Sequence, residues 1–136
     1  MTRNVYLAAG RRSPIGNFGG SLKPLRATEF GSQVGAALLA QTGVKADDIE
    51  QVIGGMVLQD MTESNPARIV SQRLGIPDKV PSFTINMQCC SSMAALIQSA
   101  QSVALGNADC VLALGLESMS NAPHMVHGSR WGHRLE

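Results

Sequence analysis

The groups in this sequence best suited to covalent chemistry are three thiols, Cys89, Cys90 and Cys110. An odd count with two neighbours adjacent is neither a disulfide framework nor the paired C-x-x-C of a zinc site. In a reducing compartment all three stay thiols. Cys89 and Cys90 lie in Ile85-Asn86-Met87-Gln88-Cys89-Cys90-Ser91-Ser92-Met93, where a short apolar strand is expected to run straight into a helix. A thiol at that junction faces backbone N–H groups without intrahelical partners and the positive end of the helix dipole, and both stabilise thiolate. The same N–H groups can hold a developing oxyanion. Ser91 and Ser92 are small and leave room for a bulky acyl group. The competing description is that both cysteines are small buried apolar residues at a helix start, as most free cysteines are. Position alone leaves both open. Cys110 falls inside an apolar strand, where packing is the expected role.

Other candidate groups are weaker. His124, His127 and His133 share the C-terminal stretch, but no carboxylate or thiol accompanies them, so solvated loop residues are expected and no metal site. Gly16, Gly19 and Gly20 follow neither G-x-G-x-x-G nor G-x-x-x-x-G-K, so tight turns explain them better than a phosphate cradle. Arg11 and Arg12 form an exposed loop pair; contact with a phosphate is the alternative. Eleven basic against ten acidic residues leave a net charge of +1, which argues against nucleic acid as the main partner. The apolar stretches fall far short of the ~20 residues a spanning helix needs, and the N-terminus has no apolar signal region. A cytoplasmic location is therefore expected.

The elements that must position Cys89 can be read in order. With 136 residues, 44% of them hydrophobic, the chain can bury a single core. Asn4 to Ala8 suggests a first strand, followed by a Gly- and Pro-rich loop from Gly10 to Gly20. Thr28 is a candidate N-cap for a helix carrying Phe30, Val34, Ala37 and Leu38, which Gly43 stops. Ala46 to Glu50 reads as one turn, then Gln51 to Leu58 as a strand. Asn65-Pro66 marks a helix start, cap side chain first and proline next, and Gly75 ends that helix. Pro81 to Asn86 is a short strand. A helix of about four turns comes next, with Met93, Leu96, Ile97, Ala100 and Val103 as its apolar stripe, and Gly106 ends it. Cys110 to Gly115 predicts a central strand buried on both faces. The alternation implies an α/β layered domain with at least part of its sheet parallel. Residues 1–118 form that domain, and 119–136 open a loop region. A chain that stops just after a central strand suggests an incomplete fold.

Several segments together resemble the thiolase family. Asn86-Met87-Gln88-Cys89 with the small residues after it is similar to the family's acyl-enzyme signature, N-x-x-C. Arg12-Ser13-Pro14-Ile15-Gly16-Asn17-Phe18-Gly19-Gly20 resembles its N-terminal loop. Gly54-Gly55-Met56 followed by Asn65-Pro66-Ala67-Arg68 resembles its second strand and the next helix start. Gly115-Leu116-Glu117-Ser118-Met119-Ser120-Asn121-Ala122-Pro123 is similar to its G-M-E-S-M-S-N-A-P loop. Arg130-Trp131-Gly132-x-Arg134 resembles the segment after that loop in many members. The match is collinear over essentially the whole chain. Two departures stand out: Cys90 where Gly, Ser or Ala is usual, and Leu114 in place of a glycine.

The resemblance implies the N-terminal part of a thiolase-like layered fold, with a mixed sheet flanked by helices. It implies acyl transfer between coenzyme A thioesters through an acyl-Cys89 intermediate, with CoA as substrate and no metal or redox cofactor. Cys90, about 100° further round the helix, should point elsewhere. The family's activating His, its second acid/base Cys and most of its CoA contacts would lie beyond Glu136, so no cofactor-binding residue is assigned. A complementary C-terminal segment or chain is the implied partner, in an assembly that is a dimer or a tetramer. The alternatives are a non-catalytic thiolase-like subunit that scaffolds or binds acyl groups, and a related condensing enzyme such as a ketoacyl synthase or hydroxymethylglutaryl-CoA synthase. Retention of Cys89 with Asn86 speaks against the first, and the M-S-N-A-P wording against the second.

Overall fold

The computed structural model describes residues 3–132. Three strands, β1 (Gln51–Gly55), β2 (Ser82–Ile85) and β3 (Val111–Gly115), form a sheet in the order β2-β1-β3. Both pairings are parallel, with Ile53 opposite Phe83 on one side and Ala113 on the other. Helices α1 (Ala27–Thr42), α2 (Pro66–Arg73) and α3 (Ser91–Ala104) complete the framework. The expected α/β layered architecture is adopted. An antiparallel member of a mixed sheet is not among the described residues.

Strand geometry assigns the layers. Successive side chains alternate in direction, and a Cβ built on Gly54 would meet Ala67 of α2, whereas one on Gly55 would meet Ser91 of α3. The two helices therefore cover opposite faces of β1. On the α2 side, Val52, Ala67, Ile76, Val80 and Leu112 are buried together. Next to them Ala27, Met56, Val70 and Leu116 join α1 to the end of the sheet. Two glycines of α1 allow the close approach, since a Cβ on Gly31 would run into the Leu116 side chain and one on Gly35 into Leu74.

Local signals decide most boundaries. Asn65 caps α2 with its side-chain oxygen, which accepts the Arg68 N–H at 3.3 Å, and Pro66 occupies the first helical position. The same Asn65 side chain donates to the Ser82 carbonyl and accepts from the Thr84 hydroxyl, so the cap also ties α2 to β2. Gly43 and Gly75 close α1 and α2 with φ of 72°, and Gly106 follows α3 with φ of 76°.

Four expectations need correction. Asn4 to Ala8 is not a strand: Val5, Tyr6 and Leu7 are exposed, and no ladder partner lies beside them among the described residues. The cap of α1 is Arg26, whose N–H donates to the Glu29 carboxylate at 2.6 Å; Thr28 sits inside the first turn, fully buried, where its hydroxyl meets Glu63 and Arg73. β1 stops at Gly55: Met56 N–H still reaches the Ile85 carbonyl, but Val57 N–H and Leu58 N–H leave the ladder and donate to the Glu117 carboxylate. β3 is an edge strand of the described sheet and only partly buried, while β1 is the central one.

Helix α3 departs most from its pattern. Its inward face is made of Ser91, Ala95, Ser99 and Ser102, all buried, and the expected core stripe of Met93, Leu96 and Ile97 is exposed. The reason is the glycine-bearing sheet face beneath it. Gly55 and Gly115 bring the helix so close that only small side chains fit between.

Candidate active site

Cys89 stands where the C-terminal end of the parallel sheet passes into α3. The chain leaves β2 at Ile85, turns through Met87 and Gln88, and enters the helix at Ser91. Gln88 holds the turn together with φ of 51°, and among the described non-glycine residues it alone has a positive φ. Such a conformation costs on the order of 1 kcal/mol or more for a side chain of this kind. Three side-chain hydrogen bonds maintain it. The Asn86 Oδ1 accepts the Gln88 N–H at 3.1 Å, the Ser91 Oγ accepts the Met87 N–H at 2.9 Å, and the Ser91 hydroxyl donates to the Gln88 carbonyl at 2.6 Å. Asn86 also donates from its Nδ2 to the Val57 carbonyl, 3.0 Å away, fixing the turn to the loop after β1. The asparagine of the N-x-x-C segment thus acts on backbone, three residues before the thiol.

Both adjacent thiols are exposed. Cys90 is the N-cap residue of α3 and makes no side-chain capping bond. Among the described residues no acceptor meets the backbone N–H groups of Cys89, Ser92 or Met93. A thiol with open amide donors around it, at the positive end of a fourteen-residue helix, is suited to nucleophilic attack on a carbonyl and to stabilising the resulting oxyanion. Cys110 differs. It lies one residue before β3, half-buried, and burial pushes its thiol up from the ordinary range, with the Asp48 and Glu50 carboxylates adding to the effect. Its role is packing against the Val52 side of the core.

The approach to the turn is shaped by the two remaining motifs. Gly115 ends β3 directly under Ser92, and Glu117 accepts the Val57 and Leu58 amides, joining the ends of β1 and β3. Asn121 donates from its Nδ2 to the Lys23 and Leu25 carbonyls at 3.0 Å each, and the Ser120 hydroxyl accepts the Gly19 N–H at 2.9 Å. The loop around 115–123 thereby pins the N-terminal loop, about 100 residues away in sequence. Between them opens a cleft of ≈ 510 Å³ walled by Phe18, Phe30, Ser92, Leu116 and Met119 among others. Cys89 is not among its walls, so the cleft runs beside the Cys89 turn rather than over it.

Of the residues singled out from sequence, Asn86 and Cys89 share the turn before α3, and Asn86 and Glu117 both bond the loop after β1. Arg11 is taken up by the Gln41 side chain, and Arg12 lines the cleft. His124 and His127 are exposed, and no cluster of three or more metal-ligating side chains occurs among the described residues; His133 and Arg134 lie outside them. Ser91, expected to make space for an acyl group, is buried beneath the turn, while Ser92 does face the cleft. The clamping roles of Glu117 and Asn121 have no signal in the sequence, since each depends on a contact distant along the chain.

Comparison with known proteins accords with this arrangement. The family model described as "Thiolase, N-terminal domain" matches residues 5–136. A probable acetyl-CoA acyltransferase of Staphylococcus aureus is 42% identical over 135 residues, covering 99% of this chain and 34% of that protein. An acetyl-CoA acetyltransferase of Allochromatium vinosum is 43% identical with the same coverage. Among solved structures, the Bacillus anthracis acetyl-CoA acetyltransferase superposes with a TM-score of 0.95 at 38% identity, over 99% of this chain and 34% of that one. Human mitochondrial 3-ketoacyl-CoA thiolase in complex with CoA gives 0.86 at 36% identity, over 90% and 31%. The chain spans about a third of the length of these relatives. With its strand–turn–helix cysteine set in this framework, the chain belongs to the thiolase family, as an N-terminal domain.

Proposed function

We propose that this chain supplies the nucleophile for acyl transfer between coenzyme A thioesters, with Cys89 as the acyl carrier. In the cleavage direction the Cys89 thiolate attacks the 3-keto carbon of a 3-ketoacyl-CoA. The bond between C2 and C3 breaks, and its electron pair leaves as the enolate of acetyl-CoA, which then takes up a proton. The thiol of free CoA attacks the acyl-Cys89 thioester, releasing the shortened acyl-CoA and restoring Cys89. Run in reverse from acetyl-Cys89 and acetyl-CoA, the same steps make a Claisen condensation. A thioester intermediate lies close in energy to a thioester substrate, so a thiol suits the task and no metal or redox cofactor is required. The observation that carries this is the exposed Cys89 thiol on a strained turn between β2 and α3, beside backbone donors with no acceptor.

The general base that activates Cys89, the acid that protonates the enolate and most of the CoA site are assigned to a complementary C-terminal segment or chain. That assignment is supported by the one-third coverage of the relatives. The working unit is taken to be a dimer or larger assembly in the cytoplasm, where free thiols persist. The test is to incubate this chain with its complementary part and acetyl-CoA, then map the acetyl group by mass. One acetyl on the Cys89 peptide, absent after Cys89→Ala, is expected. An assembly that binds CoA but never carries acetyl would instead make the chain a scaffold.

A further inference from the structure

We propose that Ser91 is a positioning residue for Cys89, holding the turn that presents the thiol. This rests on the assignment of Cys89 as nucleophile. A serine at a helix start normally caps, accepting an amide two or three residues further on. Ser91 does not. It is the first helical residue rather than the cap, and its hydroxyl reaches backwards, accepting from Met87 N–H at 2.9 Å and donating to the Gln88 carbonyl at 2.6 Å. Its own N–H donates to the same carbonyl at 3.0 Å. The carbonyl of Gln88 is thus gripped twice, and one side chain ties the Asn86–Met87 peptide to the Gln88–Cys89 peptide across the left-handed residue.

The backbone of Ser91 is itself immobilised. It rests on Gly55, where any Cβ would collide with the Ser91 carbonyl carbon, and the residue is 3% exposed. Ser91 therefore connects the rigid centre of the sheet to the one strained residue before Cys89. Because its hydroxyl is spent on the turn and Cys90 offers no cap, the Ser92 and Met93 amides are left for whatever binds at Cys89. A capping serine one residue earlier would fill those donors and leave Gln88 unheld.

The experiment measures alkylation of each thiol of this chain by iodoacetamide at neutral pH, by peptide mapping of the chain assembled with its complementary C-terminal part, as native and as Ser91→Ala and Ser91→Thr. Cys110, half-buried at the far end of the sheet, reports on the fold. Ser91→Ala removes both side-chain hydrogen bonds and should slow Cys89 about tenfold or more, with Cys110 as protected as before. Ser91→Thr, which keeps the hydroxyl, should recover most of the native rate. Adding Gln88→Gly to Ser91→Ala should recover part of it, since glycine adopts a positive φ without strain. An unchanged Cys89 rate in Ser91→Ala, no recovery with threonine, or loss of Cys110 protection in the alanine variant would each overturn the role. If Cys89 is not the first thiol labelled in the native chain, it is the nucleophile assignment that fails, whatever Ser91 does.

Discussion

Cys89 and Cys110 are the same side chain in two electrostatic settings. Cys89 is exposed beside open amide donors, whereas Cys110 is half-buried with Asp48 and Glu50 nearby, and both features disfavour its thiolate. Iodoacetamide should therefore modify Cys89 well before Cys110, and Cys90→Gly should leave acetyl transfer intact, because Cys90 makes no capping bond that glycine would forfeit. Peptide mapping and a turnover assay check the two. The raised Cys110 value also has a consequence for stability. A group whose folded value is raised stabilises the fold fully below its ordinary value of 9.0 and loses that contribution as pH climbs through the folded value. Cys110→Ala should accordingly flatten the fall of Tm above about pH 9. Steeper loss in the variant would contradict the burial argument.

Elements are legible where their signals are local. Asn65-Pro66, Gly43 and Gly75 mark boundaries through chemistry confined to a few residues, and the structure puts caps and left-handed turns there. Periodicity misplaces the inner face of α3 because it finds the large apolar side chains, and the inward face is built from Ser91, Ala95, Ser99 and Ser102. What selects that face is the pair of glycines on β1 and β3, visible only once the strands are side by side. The same dependence hides the edge position of β3 and the absence of a strand at Asn4 to Ala8. At the site, Cys89 and Asn86 are readable from their place between strand and helix, whereas the Ser91 lock and the Glu117 and Asn121 clamps are not. The glycines make a sharp comparison. Gly55→Ala would press a methyl into the Ser91–Ser92 peptide, which is backbone and cannot yield, and should lower stability by about 1–3 kcal/mol. Gly115→Ala meets the Ser92 side chain, its Cβ at 2.8 Å, which can rotate away in part. Chemical denaturation should rank Gly55→Ala as the more damaging; the reverse order would refute the close-approach account.

Over the whole molecule, the apolar surface left open is large. Met87, Met93 and Ile97 are exposed around the site, as are Tyr6, Leu7, Ile15, Phe18 and Trp131 elsewhere. Large exposed apolar side chains in such number suit an interface, and α3 carries no charged residue on either face. Residues 1–136 purified alone should be poorly soluble or oligomeric and inactive towards acetoacetyl-CoA. Addition of the complementary C-terminal part should restore both solubility and turnover. A soluble monomer that cleaves acetoacetyl-CoA unaided would defeat that expectation and the division of the active site behind it. The all-parallel sheet bears on how such a chain is made. Its central strand has no hairpin neighbour: Val52 pairs with Ser82, thirty residues on, and Gln51 with Val111, sixty residues on. Loop closure must precede every strand pairing, which slows folding toward the millisecond-to-second range. On the ribosome, at roughly 5–20 residues per second, β1 would emerge seconds before β3 has been synthesised. The buried Val52 and Ile53 thus spend that interval without a finished sheet to cover them.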